Sequence, residues 1–497
     1  MKLYAELLAA LFATLLFSAH VCAQTHQRAP LECVIRQISL PNRSLHIACS
    51  IAGSPGRLIV QFTDKFAGVD RLSERIHSIK VTSAQGAALP MEIRGDGLYF
   101  FTLNSTGPVY LSYEMQLARA LDPSQYALVS SLGPDAGVFM IGDLLPRICF
   151  GDENCSVGHN VMRLKIEPPA DWRIATTEAQ QDDTFRLVDP SRAIFFLGRL
   201  RDGKVKIGAI NLRVAIVGDW SFREQEVFFL AEAIAREQAA LVGGNERGEF
   251  LVTLAPFPQP LTGLRSSAVT IGRTVVLLLN PNNDASQSFK HYRRHLAHEM
   301  FHFYLPNAFR VRENFDWFWE GFTRYVALMT LARLRLIDLQ EYLNAINAEY
   351  EAYIFNPSRT QLSLIAASPE KFANAASYDL VYRKGMLVAA LYDLELRWQS
   401  RGNFSLADVM KTLYRNYSLT SREIGSQEVL QEMKSRGDFA LLIHDDIVGL
   451  RQINLAERVK IYGLVIEQGI ASPGRLQLKP AAKLSSRQQA LISKLTQ

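Results

Sequence analysis

Cysteine is scarce, with five residues in a chain of 497, and none sits at metal-ligand spacing among histidines. Cys155 and His159 are neighbours in sequence, but two residues alone make no thiolate zinc site, so none is expected. Long apolar runs are missing as well. The stretch from Leu7 to Phe17 falls well short of the ~18 residues that span a bilayer, and no later segment does better. Charge of one sign is nowhere concentrated. Lys and Arg total 54 against 49 Asp and Glu, giving a net charge of +5 and a pI near 8.8. No basic stripe is interleaved with aromatics, so a nucleic-acid partner is not expected. Internal repeats and low-complexity segments are absent too, which excludes solenoids and disordered linkers.

Residues 1–23 read as a secretory signal: Lys2, the apolar run, then Val21-Cys22-Ala23 as a small-residue cleavage site. The mature chain would start near Gln24, periplasmic or secreted, with no transmembrane segment left. Cleavage removes Cys22 and leaves Cys33, Cys49, Cys149 and Cys155, an even number in an exported chain. Four cysteines allow three connectivities. Cys33 with Cys49 and Cys149 with Cys155 is favoured, because both pairs close short local loops.

About 470 mature residues exceed what a single core usually serves. From 24 to 212, short alternating segments such as Arg57–Phe62 and Leu98–Leu103, punctuated by Gly, Pro, Asn and Asp, predict an antiparallel β domain. A strand at Leu212–Trp220, a helix at Arg223–Val242 and strands at Phe250–Pro256 and Ala268–Leu279 open a second domain, 213–400. The last of these strands is where an extended peptide could add. Helical periodicity runs from Asp316 to about Arg436, with Gly402 as a break. A C-terminal helical region with a short tail, 401–497, completes an α+β multidomain reading.

Against this background one stretch carries chemistry: His298-Glu299-Met300-Phe301-His302, followed eighteen positions later by Glu320. Histidines four apart project from one helix face, about 40° apart around the axis, so both reach one tetrahedral zinc ion. Glu320, from a second helix, would be the third ligand, leaving the fourth position open for water. An open position is what makes such a site catalytic. Glu299 stands where a carboxylate can take a proton from that water and hand it to a leaving amine. One Zn2+ ion and a peptide or protein substrate are therefore expected. His291 and His295 lie on the same face with no glutamate at the base position, and are expected to extend the polar face along the cleft rim. Leu305 and Ala308 stand where the architecture with a third histidine would need Gly and His, which excludes it. Pro306 is expected to end the helix.

The blocks Trp317-Phe318-Trp319-Glu320-Gly321-Phe322-Thr323-Arg324-Tyr325 and Tyr382-Arg383-Lys384-Gly385 complete a pattern. Together with 298–302 they resemble the gluzincin metallopeptidases, specifically the glycyl aminopeptidase family, with a more distant likeness to aminopeptidase N. The resemblance spans roughly 213 to 435 and implies a thermolysin-like catalytic lobe. It also implies that Tyr382 hydrogen-bonds the oxyanion of a tetrahedral intermediate, an effect often worth ~2.7 to 4 kcal/mol. Tyr378, one turn earlier, is the weaker candidate. Where the family usually reads Gly-Leu-Glu-His, an acid positioned to hold a substrate's α-amine, this chain has Gly263-Leu264-Arg265-Ser266. An arginine repels an ammonium. Gly263 and Arg265 are thus candidate substrate-binding residues, with Arg265 expected to receive a carboxylate or a carbonyl. An aminopeptidase using another acid and a silent peptide-binding relative are the alternatives. The family's usual C-terminal PDZ domain has no counterpart in the short tail.

Overall fold

The computed structural model describes residues 31–118, 121–151, 161–244, 246–281, 285–418, 420–468 and 476–496. The expected signal peptide, Cys22 and Cys155 lie outside the described residues. Strong alternation makes the first sheets. In Ser44–Gly53 every second side chain is buried, and Ile35, Ile47, Leu111 and Leu164 are fully inside one apolar core. A seven-stranded sheet and two four-stranded sheets form this β region. All its pairs are antiparallel except Leu31–Ser39 with Met162–Ile166. That pair joins segments far apart in the chain, which a parallel pairing requires. Cys33 and Cys49 face each other across the Leu31–Ser39/Ser44–Gly53 hairpin and form a disulfide. Cys149 is disulfide-bonded as well.

A separate, five-stranded sheet carries the site. Its strands are β1 (Arg201–Ile207), β2 (Ile210–Ile216), β3 (Gly248–Pro256), β4 (Ser266–Ile271) and β5 (Thr274–Leu279), in the spatial order β1-β2-β3-β5-β4. The run Ala268–Leu279 is therefore a hairpin. Gly272 takes φ 59° at its turn, a conformation that favours glycine. Apolar residues on both arms hide the break in the sequence. The outcome matters for peptide binding, because β5 is interior and β4 is an edge strand with no strand paired outside it among the described residues.

Helix α1 (Glu224–Val242) buries Val227, Leu230, Ile234 and Leu241 on one stripe, at helical spacing. Helix α2 (Ala285–Phe301) follows β5. It ends before Pro306, and His302 sits in the tightened turn beyond it, its N–H donating to Glu299 O at 3.1 Å. Helices α3 (Gly321–Arg333), α4 (Leu339–Ile354) and α5 (Ala375–Gln399) stack behind it. Gly402, φ 78°, terminates the α5 segment as the sequence suggests. Where α3 crosses α5, Gly321 meets Gly385, and a Cβ on Gly321 would lie 2.5 Å from Gly385 Cα. One apolar core runs from Ile207 through all these elements to Leu495. No described helix is long and apolar enough to cross a membrane.

Candidate active site

The last turn of α2 and the start of α3 bring three donor atoms to one point. His298 Nε2 and His302 Nε2 are 3.2 Å apart, and Glu320 Oε2 is 3.4 Å from each. His302 Nδ1 lies 2.7 Å from Leu305 O. A carbonyl only accepts, so Nδ1 carries the hydrogen and a neutral ring turns its Nε2 lone pair toward the other two ligand atoms. Glu320 Oε2 is buried with no hydrogen-bond partner. Two imidazole nitrogens and an orphaned carboxylate oxygen are the donor set that Zn2+ takes, and the residues fit it. Among the described residues this is the cluster able to hold a metal ion, its ligand atoms within 4.8 Å of one another.

The charges of the ligands are coupled. Burial disfavours a charged His302, but the adjoining Glu320 carboxylate outweighs it and raises the imidazole to about 9, so a metal ion at this site displaces a proton from Nε2. Burial likewise opposes the Glu320 charge, yet Lys371 and His302 hold its carboxyl well below the usual range. Lys371 Nζ lies 3.0 Å from Glu320 Oε1 and 2.9 Å from Asp316 Oδ2, so one oxygen of Glu320 is pinned and the other faces the histidines.

Glu299 is buried on the same turn. Thr270 Oγ1, on the edge strand β4, is 2.7 Å from Glu299 Oε2 and 2.7 Å from its main-chain oxygen. The hydroxyl has one hydrogen for the two acceptors. Tyr382 projects from α5, its ring 6.3 Å from that of His298 and 4.5 Å from that of Tyr378. Burial pushes its phenol well above the usual range, with the Glu320 charge adding to the effect, so the hydroxyl keeps its proton.

These groups open onto a cleft of about 750 Å³. Residues 268–271 of β4 form one wall, Lys371 to Ala375 and Tyr378 another, and Phe66–Gly68 with Asp122 and Gln125 of the β region a third. Hydrogen bonds from Ser124 hold the Asp122 carboxyl below its ordinary range, with a contribution from Arg265.

Gly263 and Arg265 are not among the residues lining this cleft. Gly263, φ 74°, and Arg265 form an exposed turn whose carbonyls accept from Asn280, at 2.9 Å from Nδ2 and 3.2 Å from N respectively. His291 Nε2 and His295 Nδ1 each lie 2.8 Å from Ser266 Oγ, at the start of β4. Reasoning from sequence missed Thr270, Lys371 and Asp316. Asp316 could have been found one turn before Glu320, but nothing local marks the other two.

Residues 291–388 match the M61 glycyl aminopeptidase family. The M61-like stretch is about a fifth of the chain, and it includes His298, Glu299, His302, Glu320 and Tyr382. The fold reaches further. An aminopeptidase N family protein from Idiomarina loihiensis superposes with TM-score 0.77 at 17% identity, over 92% of this chain and 82% of that one. An M1 zinc metallopeptidase from Deinococcus radiodurans does so with TM-score 0.53 at 14% identity, over 86% of this chain and 94% of that one. A variant of the latter, bound to a Tyr-Ser-Ala substrate, matches equally, with TM-score 0.53 at 13% identity. No curated protein matches the chain in sequence. The chain thus resembles the M61 glycyl aminopeptidases, with an aminopeptidase-like mixed α/β fold.

Proposed function

We propose that this chain is an exported zinc-dependent peptidase of the gluzincin type. His298, His302 and Glu320 hold one Zn2+ ion, Glu299 is general base and then general acid, and Tyr382 stabilises the oxyanion. The observation that carries this reading is the convergence of two imidazole nitrogens on an orphaned carboxylate oxygen, beside a buried glutamate and a protonated tyrosine on one cleft.

Zinc held by these three residues would supply Lewis acidity and acidify a water. Glu299, its Oε2 accepting from Thr270 Oγ1, would take a proton from the attacking water and deliver it to the leaving amine. Tyr382 donates to the carbonyl oxygen as negative charge develops on it, a contact stronger in the transition state than before it. The outer edge of β4 offers main-chain hydrogen bonds to an extended peptide, which supports the thermolysin-like reading of the lobe. The Cys33–Cys49 disulfide is in keeping with export.

A second reading, an aminopeptidase, draws on one observation. Of the carboxylates lining the cleft, Asp316 and Glu320 are tied to Lys371 and Glu299 to Thr270, while both Ser124 donors fall on Asp122 Oδ1, so Asp122 Oδ2 is the oxygen placed to hold an α-amine.

Mass spectrometry of matched peptides with free or acetylated N-termini, with wild type and Glu299→Gln, separates the readings. Internal cuts in both sets mean an endopeptidase. Stepwise loss of first residues from free peptides alone, abolished by Asp122→Asn, means an aminopeptidase. No turnover by zinc-loaded wild type, or full turnover by Glu299→Gln, sinks the mechanism.

A further inference from the structure

Three arginines, one from each helix that builds the site, converge on a single buried carboxylate. Glu349, on α4 and 3% exposed, has Arg294 Nη2 at 3.0 Å, Arg324 Nη2 at 2.8 Å and Arg383 Nη1 at 3.2 Å. Arg383 also reaches Asp379 at 3.2 Å. Three cations therefore share two carboxylates. The cluster is not sealed: 29%, 30% and 27% of the three side chains remain open to solvent, so the excess positive charge is within reach of a ligand from outside. Arg383 Nε is buried without a hydrogen-bond partner.

Its position relative to the chemistry is close. Arg294 is one turn before His298, Arg324 is one turn after Glu320, and Arg383 follows Tyr382. The Arg324 guanidinium lies over the Tyr382 ring, 5.8 Å from its centre. His291 and His295, earlier on the helix that carries Arg294, are joined through the Ser266 hydroxyl to the start of β4. Burial lowers the His295 imidazole, with His291, His298, Arg324 and Arg294 acting in the same sense. The surroundings thus reject a cation at this histidine pair. A peptide lying antiparallel to β4 has its N-terminal part at Ile271 and its C-terminal part at Ser266. None of the three arginines lines the cleft around Glu299, but Arg324 and Arg294 act on His295, which touches Ser266, so the residues that follow the scissile bond run toward the cluster.

We infer that Arg294, Arg324 and Arg383 form an anion subsite that receives a carboxylate on the C-terminal side of the scissile bond, from an acidic side chain or a terminal α-carboxylate. Guanidinium forks match carboxylates in two-point geometry, which suits both sources. The inference rests on the peptidase reading for which bond is cut.

The test uses zinc-loaded protein and three neutral-core fluorescent peptides: one ending in an amide, one in a free carboxylate, and one amide with Glu replacing Gln after the cut. Binding is read by anisotropy with Glu299→Gln, and hydrolysis with wild type. At least one carboxylate peptide should bind tenfold or more tightly than the plain amide, and which one does so identifies the source. Adding Arg324→Gln should shrink that ratio below threefold. Should Arg324→Gln fold poorly, Glu349→Gln keeps all three arginines and removes their internal anion, so the ratio should hold or rise. Equal binding of all three peptides overturns the subsite, as does a ratio that survives Arg324→Gln or falls in Glu349→Gln. Hydrolysis without carboxylate preference removes the subsite and leaves the peptidase. Carboxylate-selective binding without hydrolysis by wild type does the reverse.

Discussion

Replacing Gly385 by alanine tests how tightly the site depends on one helix crossing. The new Cβ would lie 2.8 Å from Gly321 Cα and 2.8 Å from Trp317 O, all of it against backbone that cannot rotate away. Ordinary carbon contacts begin near ~3.5 Å, so α5 must part from α3 by roughly 0.7 Å. Glu320 precedes Gly321 directly, and Tyr382 lies less than one turn before Gly385, so the displacement separates the oxyanion donor from the metal ligands. Misplacement on the order of 1 Å costs roughly 10²-fold in rate, or about 2.7 kcal/mol of barrier. Stability should change much less. Overpacking costs about 1 to 3 kcal/mol, while alanine in mid-helix regains about 1 kcal/mol over glycine, leaving about 0 to 2 kcal/mol. Steady-state kinetics at saturating zinc should thus show a roughly 100-fold fall in kcat/KM. Thermal melting should show a shift of only a few degrees. Activity within threefold of wild type would refute the reasoning, and so would a loss explained entirely by unfolding.

Lys371→Met removes the ammonium that pins Glu320 Oε1 and Asp316; zinc affinity, measured by chelator competition, should fall ~10- to 100-fold, and an unchanged affinity would show that the lysine does not orient the ligand. Lys384 is fully buried, its Nζ has no hydrogen-bond partner, and burial lowers it to about 8 against the opposing pull of Asp446. Its folded pKa lies below the unfolded 10.5, so between those values the unfolded chain holds a proton the folded one has shed, and stability rises with pH. Lys384→Met should be the more stable protein at pH 7, by on the order of 3 kcal/mol, with the two converging above pH 10 in urea melts; parallel curves would contradict this. Removing the Cys33–Cys49 bridge, whose sequence separation is 16, with paired alanines should cost about 3 kcal/mol, and an unmoved melting transition of the β region would count against it.

The candidate metal-holding cluster was legible because its residues are written locally. His298, Glu299 and His302 share one helical turn and its cap, and the motifs around Glu320 and Tyr382 follow in order. What escaped depends on pairings distant in sequence. Lys371 reaches Glu320 across 51 residues and Thr270 reaches Glu299 across 29, and neither stretch carries a period or motif that announces a partner. Helix α1 appeared within a residue of its observed start, since a 3.6-residue apolar stripe is a strong signal. The β4/β5 hairpin was read through, because Thr274–Leu279 is buried on both faces and loses the alternation that marks a half-exposed strand. The parallel pair of Leu31–Ser39 with Met162–Ile166 was equally hidden, since alternation fixes faces and not neighbours.

The apolar core that begins at Ile207 and reaches Leu495 also governs how the protein can come apart. Behind Glu320, buried Tyr325 donates to Asp393 at 2.8 Å, Asp393 accepts from Arg397 at 2.9 Å, and Arg397 donates to the carbonyl of Lys494 at 3.0 Å. Such a relay leaves little scope for fraying near the ligands. Amide hydrogens of α3 and α5 should exchange only through whole-lobe opening. Clipping the last helical turn, far from any chemistry, would then quicken exchange throughout the lobe.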